Sequence, residues 1–182
     1  MSILDAVLAA FLCCSVYTDL RWRRIPNALV AAFMGAGFIL RLAGGGPAGL
    51  LEGCLGLVIG ALLLLIPFWA GGVGAGDVKM LAMIGLYKGA HFATWTFLAG
   101  ALAGGVLAAL FLLGRRHLVS SLRCVGRHLW LAWALGKLSL ALVPPPGGED
   151  LPAVPYALAI FCGATVVFIL EVSGHALPAL HW

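Results

Sequence analysis

Two carboxylates stand out by where they fall along the chain. Asp77 lies in the run Gly74-Ala75-Gly76-Asp77-Val78-Lys79, with apolar stretches at 50–69 and 78–87 on either side, and Asp19 closes another apolar stretch. A carboxylate carried into a bilayer costs roughly 2.5–3.5 kcal/mol on insertion scales, so an acid kept there marks a functional site by default. Two carboxylates that can meet are the smallest set able to hydrolyse a peptide bond by acid–base chemistry. One, ionised, takes a proton from water; the other, protonated, donates to the scissile carbonyl. Held close together, such a pair shares one proton and titrates as a unit. Gly74 and Gly76 are expected to give the backbone positive φ and a close approach to an extended substrate. Each acid alone has a plainer reading. Asp77 begins a helix, an ordinary place for an N-terminal acid, and Asp19 beside Arg21 and Arg23 reads as a solvated loop residue. The chemistry rests on the pair.

The elements that must position the pair are hydrophobic. The 182 residues are 63% hydrophobic and 10% charged, with a mean hydropathy of +1.08, whereas soluble domains are about a quarter charged. This predicts an all-α integral membrane protein, one membrane domain over 1–182, with no separate soluble module. The formal charge of +4 comes from loop arginines, which are topology signals in a membrane chain; no nucleic acid is expected as a partner. Cys13, Cys14, Cys54, Cys124 and Cys162 contain no Cys-x-x-Cys pair, so they read as small buried hydrophobes and not as a zinc site or disulfide framework. The histidines show no ligand spacing, and neither a metal nor another cofactor is expected. The N-terminus has no basic leader region ahead of its apolar stretch and reads as a retained first span.

Apolar stretches at 3–17, 28–42, 50–69, 78–90, 92–113 and 154–172 predict a six-transmembrane-helix bundle, the second and fourth borrowing flanking residues or meeting a thinned bilayer. Arg21, Arg23 and Arg24 follow the first span, and Arg115, Arg116, Arg123, Arg127 and Lys137 follow the fifth. The positive-inside rule puts both loops in the cytoplasm. The loop holding Asp77 shares their parity, which brings Asp19 and Asp77 to one face. Residues 115–137 read as a basic amphipathic segment on the cytoplasmic surface between spans five and six; a crossing at 129–143 is the alternative. Glu52 and Glu171 fall at the outer ends of spans and read as interface acids. Gly56-x-x-x-Gly60 and Gly100-x-x-x-Gly104 would let helix backbones approach closely.

The run from Asp19 through Ile25-Pro26-Asn27, then Gly74-Ala75-Gly76-Asp77-Val78-Lys79, then Pro155-Tyr156-Ala157 resembles the type IV prepilin peptidases, the GxGD aspartyl proteases of bacterial membranes. The resemblance implies Asp19 and Asp77 as the catalytic pair in the bacterial inner membrane, facing the cytoplasm. The substrate it implies is the short basic leader of a prepilin or pseudopilin, cut after a glycine, with association to pilus assembly or secretion machinery as a corollary. The chain departs from the bifunctional members, which carry a cytoplasmic insertion with paired Cys-x-x-Cys motifs linked to N-methylation. It looks like the compact peptidase-only branch associated with Flp/Tad-type pili. Around the pair, Lys79 either tunes the acid or binds phosphate headgroups. Pro26 and Asn27 set the start of the second helix, with Asn27 capping it. Pro155 and Tyr156 either shape a substrate groove or simply start the last helix. The rival from another class is a non-enzymatic carrier or assembly scaffold whose acids bind a cation. A rival within the chemistry is a peptidase for another leader class, such as preflagellins.

Overall fold

The structure, a computed structural model, describes residues 2–69, 73–114 and 156–174, and these form five helices. They are α1 (Ile3–Trp22), α2 (Asn27–Trp69), α3 (Ala75–Lys88), α4 (Ala90–Gly114) and α5 (Tyr156–Val172). Met1–Gly104 and Pro155–Trp182 group as one compact unit and Gly105–Val154 as another. The first unit contains both acids and the helices packed around them. The amphipathic segment expected at 115–137, the alternative crossing at 129–143 and Pro155 lie outside the described residues.

α1 starts on a capping box. The Asp5 amide donates to Ser2 Oγ at 3.2 Å, and the Ser2 amide donates to Asp5 Oδ2 at 2.8 Å. At the other end Arg23 takes a left-handed conformation (φ 51°) and its amide donates to the Asp19 carbonyl at 2.7 Å. The sequence predicts a loop opening at Asp19; α1 instead continues to Trp22, because the chain turns out of the helix only at Arg23. Asp19 is therefore a residue of the last helical turn and not of a solvated loop.

α2 spans 43 residues, which as a straight rod would be about 65 Å long, twice the hydrocarbon thickness of about 30 Å. It is not straight. Gly46 sits at φ 59°, ψ −153°, a conformation open only to glycine, and Pro47 starts the next arm, a position that suits its missing amide. The arms 27–45 and 47–69 fold back on each other across α3. A Cβ at Gly37 would meet Leu86 Cδ2 at 2.8 Å, one at Gly53 the Leu86 carbonyl at 3.1 Å, and one at Gly60 the Leu81 carbonyl at 2.5 Å. The first arm thus runs parallel to α3 and the second antiparallel. The two apolar stretches expected as separate spans are the arms of one hairpin.

α3 is the centre of this unit, packed by α1, both arms of α2 and α5. Every residue from Met80 to Tyr87 is buried. Such all-round burial needs close neighbours, and the glycines supply them. Gly56 and Gly85 bring their backbones together, and Gly60 lies against Leu81 and Ala82. Gly100 and Gly163 do the same between α4 and α5, while Gly104 faces the Tyr156 ring at 3.1 Å from a built Cβ. Both glycine pairs noted in the sequence mark close approaches, as small residues do in lipid.

The C-terminal carbonyls of α3, which no helical amide can reach, are met by Arg41. Its Nε donates to the Leu86 carbonyl and its Nη2 to the Tyr87 carbonyl, both at 3.0 Å, while Nη1 pairs with Glu52 at 3.1 Å. Glu171 pairs with Lys88 at 2.8 Å. The two acids expected as interface acids thus each hold a cation.

Length and composition mark α1, α2 and residues Ala90–Leu107 of α4 as able to cross a bilayer, with α5 a shorter apolar helix. This is an integral membrane protein, all-helical over the described residues; the expected six crossings exceed what those criteria mark there. Large apolar side chains such as Leu62, Ile66 and Leu102 face outward, as they do in a chain surrounded by lipid. Cys13, Cys14 and Cys162, expected in the core, are exposed as well. Lipid is as apolar as a core, so hydropathy cannot tell the inward face from the outward one.

Adding a methyl group where backbones touch should force α2 and α3 apart. Gly85→Ala is expected to destabilise the protein by about 1–3 kcal/mol. Gly35→Ala, whose Cβ would meet nothing within 4 Å, should leave stability within about 0.5 kcal/mol. Unfolding of both variants in detergent beside the wild type checks this.

Candidate active site

The turn after α1 and the head of α3 enclose a cleft of about 640 Å³. Asp19 reaches it from the last turn of α1 and Asp77 from the first turn of α3, and Gly74, Gly76, Lys79, Pro26 and Asn27 line it too. Seven of the nine site residues read from the sequence therefore share one cavity. The eighth, Tyr156, begins α5 and lies within electrostatic reach of Asp77. The ninth, Pro155, is outside the described residues.

Asp77 is buried. Its Oδ2 accepts the Gly74 amide at 3.1 Å, and its own amide donates to the Gly74 carbonyl at 3.1 Å. The plain reading of Asp77 as a helix-capping acid is therefore true of one oxygen, and the same carboxyl still faces the cleft. Asp77 stands ahead of the apolar stretch that begins at Val78, at the polar end of α3. Burial there pushes its carboxyl up to about 6, against the pull of the Gly74 amide and with a further push from the neighbouring Asp19. Asp19 is half-buried and has the Arg23 guanidinium within electrostatic reach.

The glycines act differently from the expectation. Gly74 is extended at φ −77°, ψ 152°, and neither Gly74 nor Gly76 is among the positive-φ residues. What they provide is room. A Cβ at Gly76 would lie 3.2 Å from the Ile25 side chain, and one at Gly74 would lie 3.2 Å from Asp77 Oδ2. Side chains at these positions would crowd the turn against α3 and press on the acid.

Asn27 also departs from its predicted role. Its Oδ1 accepts Lys79 Nζ at 2.6 Å, so the side chain ties α2 to α3 instead of capping its own helix. The carbonyl of Pro26 accepts the Val30 amide at 3.3 Å, which makes the backbone of Pro26 the start of α2. Lys79, two residues past Asp77, borders the cleft as well because α3 has barely begun there.

Trp22, Arg24, Ile25 and Ala75 also line the cavity and were not singled out as site residues in the sequence. The signal was contiguity: Trp22, Arg24 and Ile25 lie between Asp19 and Asn27, and Ala75 lies between Gly74 and Gly76, so each is flanked by site residues. Among the described residues no three His, Cys, Asp or Glu side chains come together as a metal site. What remains is two carboxylates of unequal environment, Asp77 buried and Asp19 half-buried, lining one cleft at a polar helix end. That arrangement can hold a proton on one acid and take one with the other.

A family model described as the type IV leader peptidase family matches residues 6–109, more than half of the chain and inclusive of both acids. No curated protein and no solved structure matches.

The electrostatics of the pair can be read directly. Carbon-13 titration of aspartate-labelled protein should give Asp77 a midpoint near 6. Asp19→Asn should lower it, because removing a neighbouring negative charge eases ionisation of the remaining acid. An unmoved midpoint would mean the two carboxyls do not sense each other.

Proposed function

The chain belongs to the type IV leader peptidase family, and we propose that it is a membrane aspartyl endopeptidase in which Asp19 and Asp77 together activate water. The observation that carries this reading is the convergence of the two acids, from different helices, on one cleft. A protease acting on prepilin leaders follows from the family alone; the two-acid mechanism, the Flp-type substrate and the orientation in the membrane are the proposal.

The unequal environments assign the roles. Asp77, raised to about 6, is the partner that holds the proton and donates it to the carbonyl oxygen of the scissile bond. Asp19, the less buried acid, is ionised and takes a proton from the attacking water. The resulting tetrahedral diol collapses when the leaving amine receives a proton from Asp19 and Asp77 takes back the proton of the hydroxyl that becomes the new carbonyl, which restores the original distribution. Lys79 and Asn27 keep α2 and α3 together at the cleft edge, Pro26 starts α2 there, and Tyr156 borders Asp77 from α5.

The substrate in this reading is the basic leader of a prepilin or pseudopilin, of the Flp type by the compact build of the chain. Methyl transfer is not expected, since no Cys-x-x-Cys motif is present. The orientation follows from the arginines after α1: the Asp19/Asp77 end faces the cytoplasm of a bacterial inner membrane. With the arms of α2 counted separately, α1, the two arms, α3, α4 and α5 supply six crossings of a single domain, α3 doing so in a locally thinned bilayer. Pilus assembly or secretion machinery is the setting in which such a product is used.

Purified protein in detergent should shorten a Flp-type prepilin by its leader, and Asp19→Asn or Asp77→Asn should each remove cleavage, with rates down by about 10³-fold or more. Appreciable turnover by either variant would sink the two-acid mechanism. Absence of cleavage by folded wild type across prepilin classes would favour the cation-binding carrier or scaffold. For the orientation, Trp22→Cys and Ala75→Cys should react with an impermeant thiol reagent only from the cytoplasmic side of oriented membranes; labelling from outside would reverse the topology.

A further inference from the structure

At the far end of α3 from Asp77, one cation gathers three helices. Lys88 Nζ pairs with Asp5 Oδ1 at 3.1 Å and with Glu171 Oε2 at 2.8 Å. Asp5 belongs to the first turn of α1, and Glu171 to the last turn of α5. The ammonium also lies 5.1 Å from the centre of the Phe92 ring and 5.3 Å from that of Phe168. The Lys88 and Asp5 side chains are each only 13% exposed.

The same three helices meet again at the other end, where α1 presents Asp19, α3 presents Asp77 and α5 presents Tyr156 beside it. At 1.5 Å per residue, the two ends are about 16 Å apart along α3 and about 21 Å apart along α1. Each helix is therefore a strut with one residue in each cluster.

We propose that Lys88 is a positioning residue which, through Asp5 and Glu171, sets the axial register of α1 and α5 on α3 and so holds Asp19 against Asp77. Among the described residues, the Lys88–Asp5 contact is the one side-chain hydrogen bond between α1 and α3. The rest of the α1 face that turns inward is Leu8, Phe11, Leu12, Ser15 and Thr18. Apolar contact is non-directional, so such a face accepts a slip along the axis. A slip of one turn would move Asp19 by about 5.4 Å, beyond proton-transfer distance. Buried ion pairs contribute little net stability, and their best-attested use is to select one register over others. The Asp5 carboxylate is suited to this because its second oxygen is already fixed by the Ser2 amide.

The kinetic part of this proposal rests on Asp19 and Asp77 being the catalytic pair; the structural part does not. Nitroxides on Leu20→Cys and Ala75→Cys, both exposed positions, in a background without native cysteines, report the α1–α3 register by pulsed electron resonance. Cleavage of a prepilin is followed on the unlabelled protein. Asp5→Asn keeps the acceptor for the Ser2 amide and leaves Lys88 paired with Glu171, so it removes the α1 tie without stranding a buried charge. It should broaden the 20–75 distance distribution, and kcat should fall about tenfold or more with KM little changed, since misplacement of reacting groups by an ångström is felt in the chemical step. Lys88→Met should do the same, and Lys88→Arg should retain the wild-type distribution and most of kcat. A wild-type distribution in Asp5→Asn would overturn the register role, and a broadened distribution with unchanged kcat would overturn its part in holding Asp19 against Asp77. If wild type cleaves nothing, the peptidase reading falls while the distance measurement still decides the register.

Discussion

α3 is a short helix, and both of its ends carry backbone groups that no helical partner can meet. Its 14 residues reach about 21 Å, and every residue from Met80 to Tyr87 is buried. Backbone groups left unmet away from water are costly, and the structure meets them at each end with a charged side chain. Arg41 comes from α2 to the last carbonyls, and Asp77 turns back to the Gly74 amide. The surroundings follow from these two needs. The hairpin of α2 exists in a form that delivers Arg41 to one end and Asn27 to the other, and its glycines let both arms lie against a helix buried on all sides.

That arrangement removes the choice between reading Asp77 as a cap and reading it as an acid. Capping uses one oxygen and fixes the carboxyl group in place. Burial then acts on the whole group and raises it further than the capping amide lowers it. A carboxyl that has been immobilised, desolvated and set beside a second carboxyl is prepared to hold a proton up to about pH 6, well above the usual carboxylate range. The local demand of the helix and the demand of proton transfer are met by the same geometry.

Much of the site was legible in the sequence because its parts are contiguous and polar in an apolar setting. Asp19, Pro26, Asn27 and the Gly74–Lys79 run announce themselves by contrast, and parity brings them to one end. The internal boundaries were harder. Hydropathy cannot place Asp19 inside or outside a helix, because a helix end is decided by one residue's φ, here Arg23. It cannot say that Cys13 faces outward, because lipid and core are equally apolar. Nor could it see why Gly76 is a glycine: the reason is a neighbour, Ile25, about fifty residues away. The ties at the opposite end join partners as far apart as Asp5 and Lys88, and a linear reading has no spacing rule for those. Residues with apparently idle charges, Arg41, Glu52, Lys88 and Glu171, proved to be paired with one another or with Asp5.

The reversal at Gly46 also bears on how such a chain could be built during synthesis. α3 holds Asp77, Lys79 and Lys88 among 14 residues, and charged residues in so short a segment oppose its partitioning into lipid. A segment of that composition is a poor candidate for leaving the insertion machinery alone. The two apolar arms precede it from the ribosome and close into a hairpin that displays Asn27, Arg41 and a stripe of glycines. The hairpin is thus a prefabricated berth for the helix that comes after it, carrying in Arg41 and Asn27 the groups that meet α3 at its two ends.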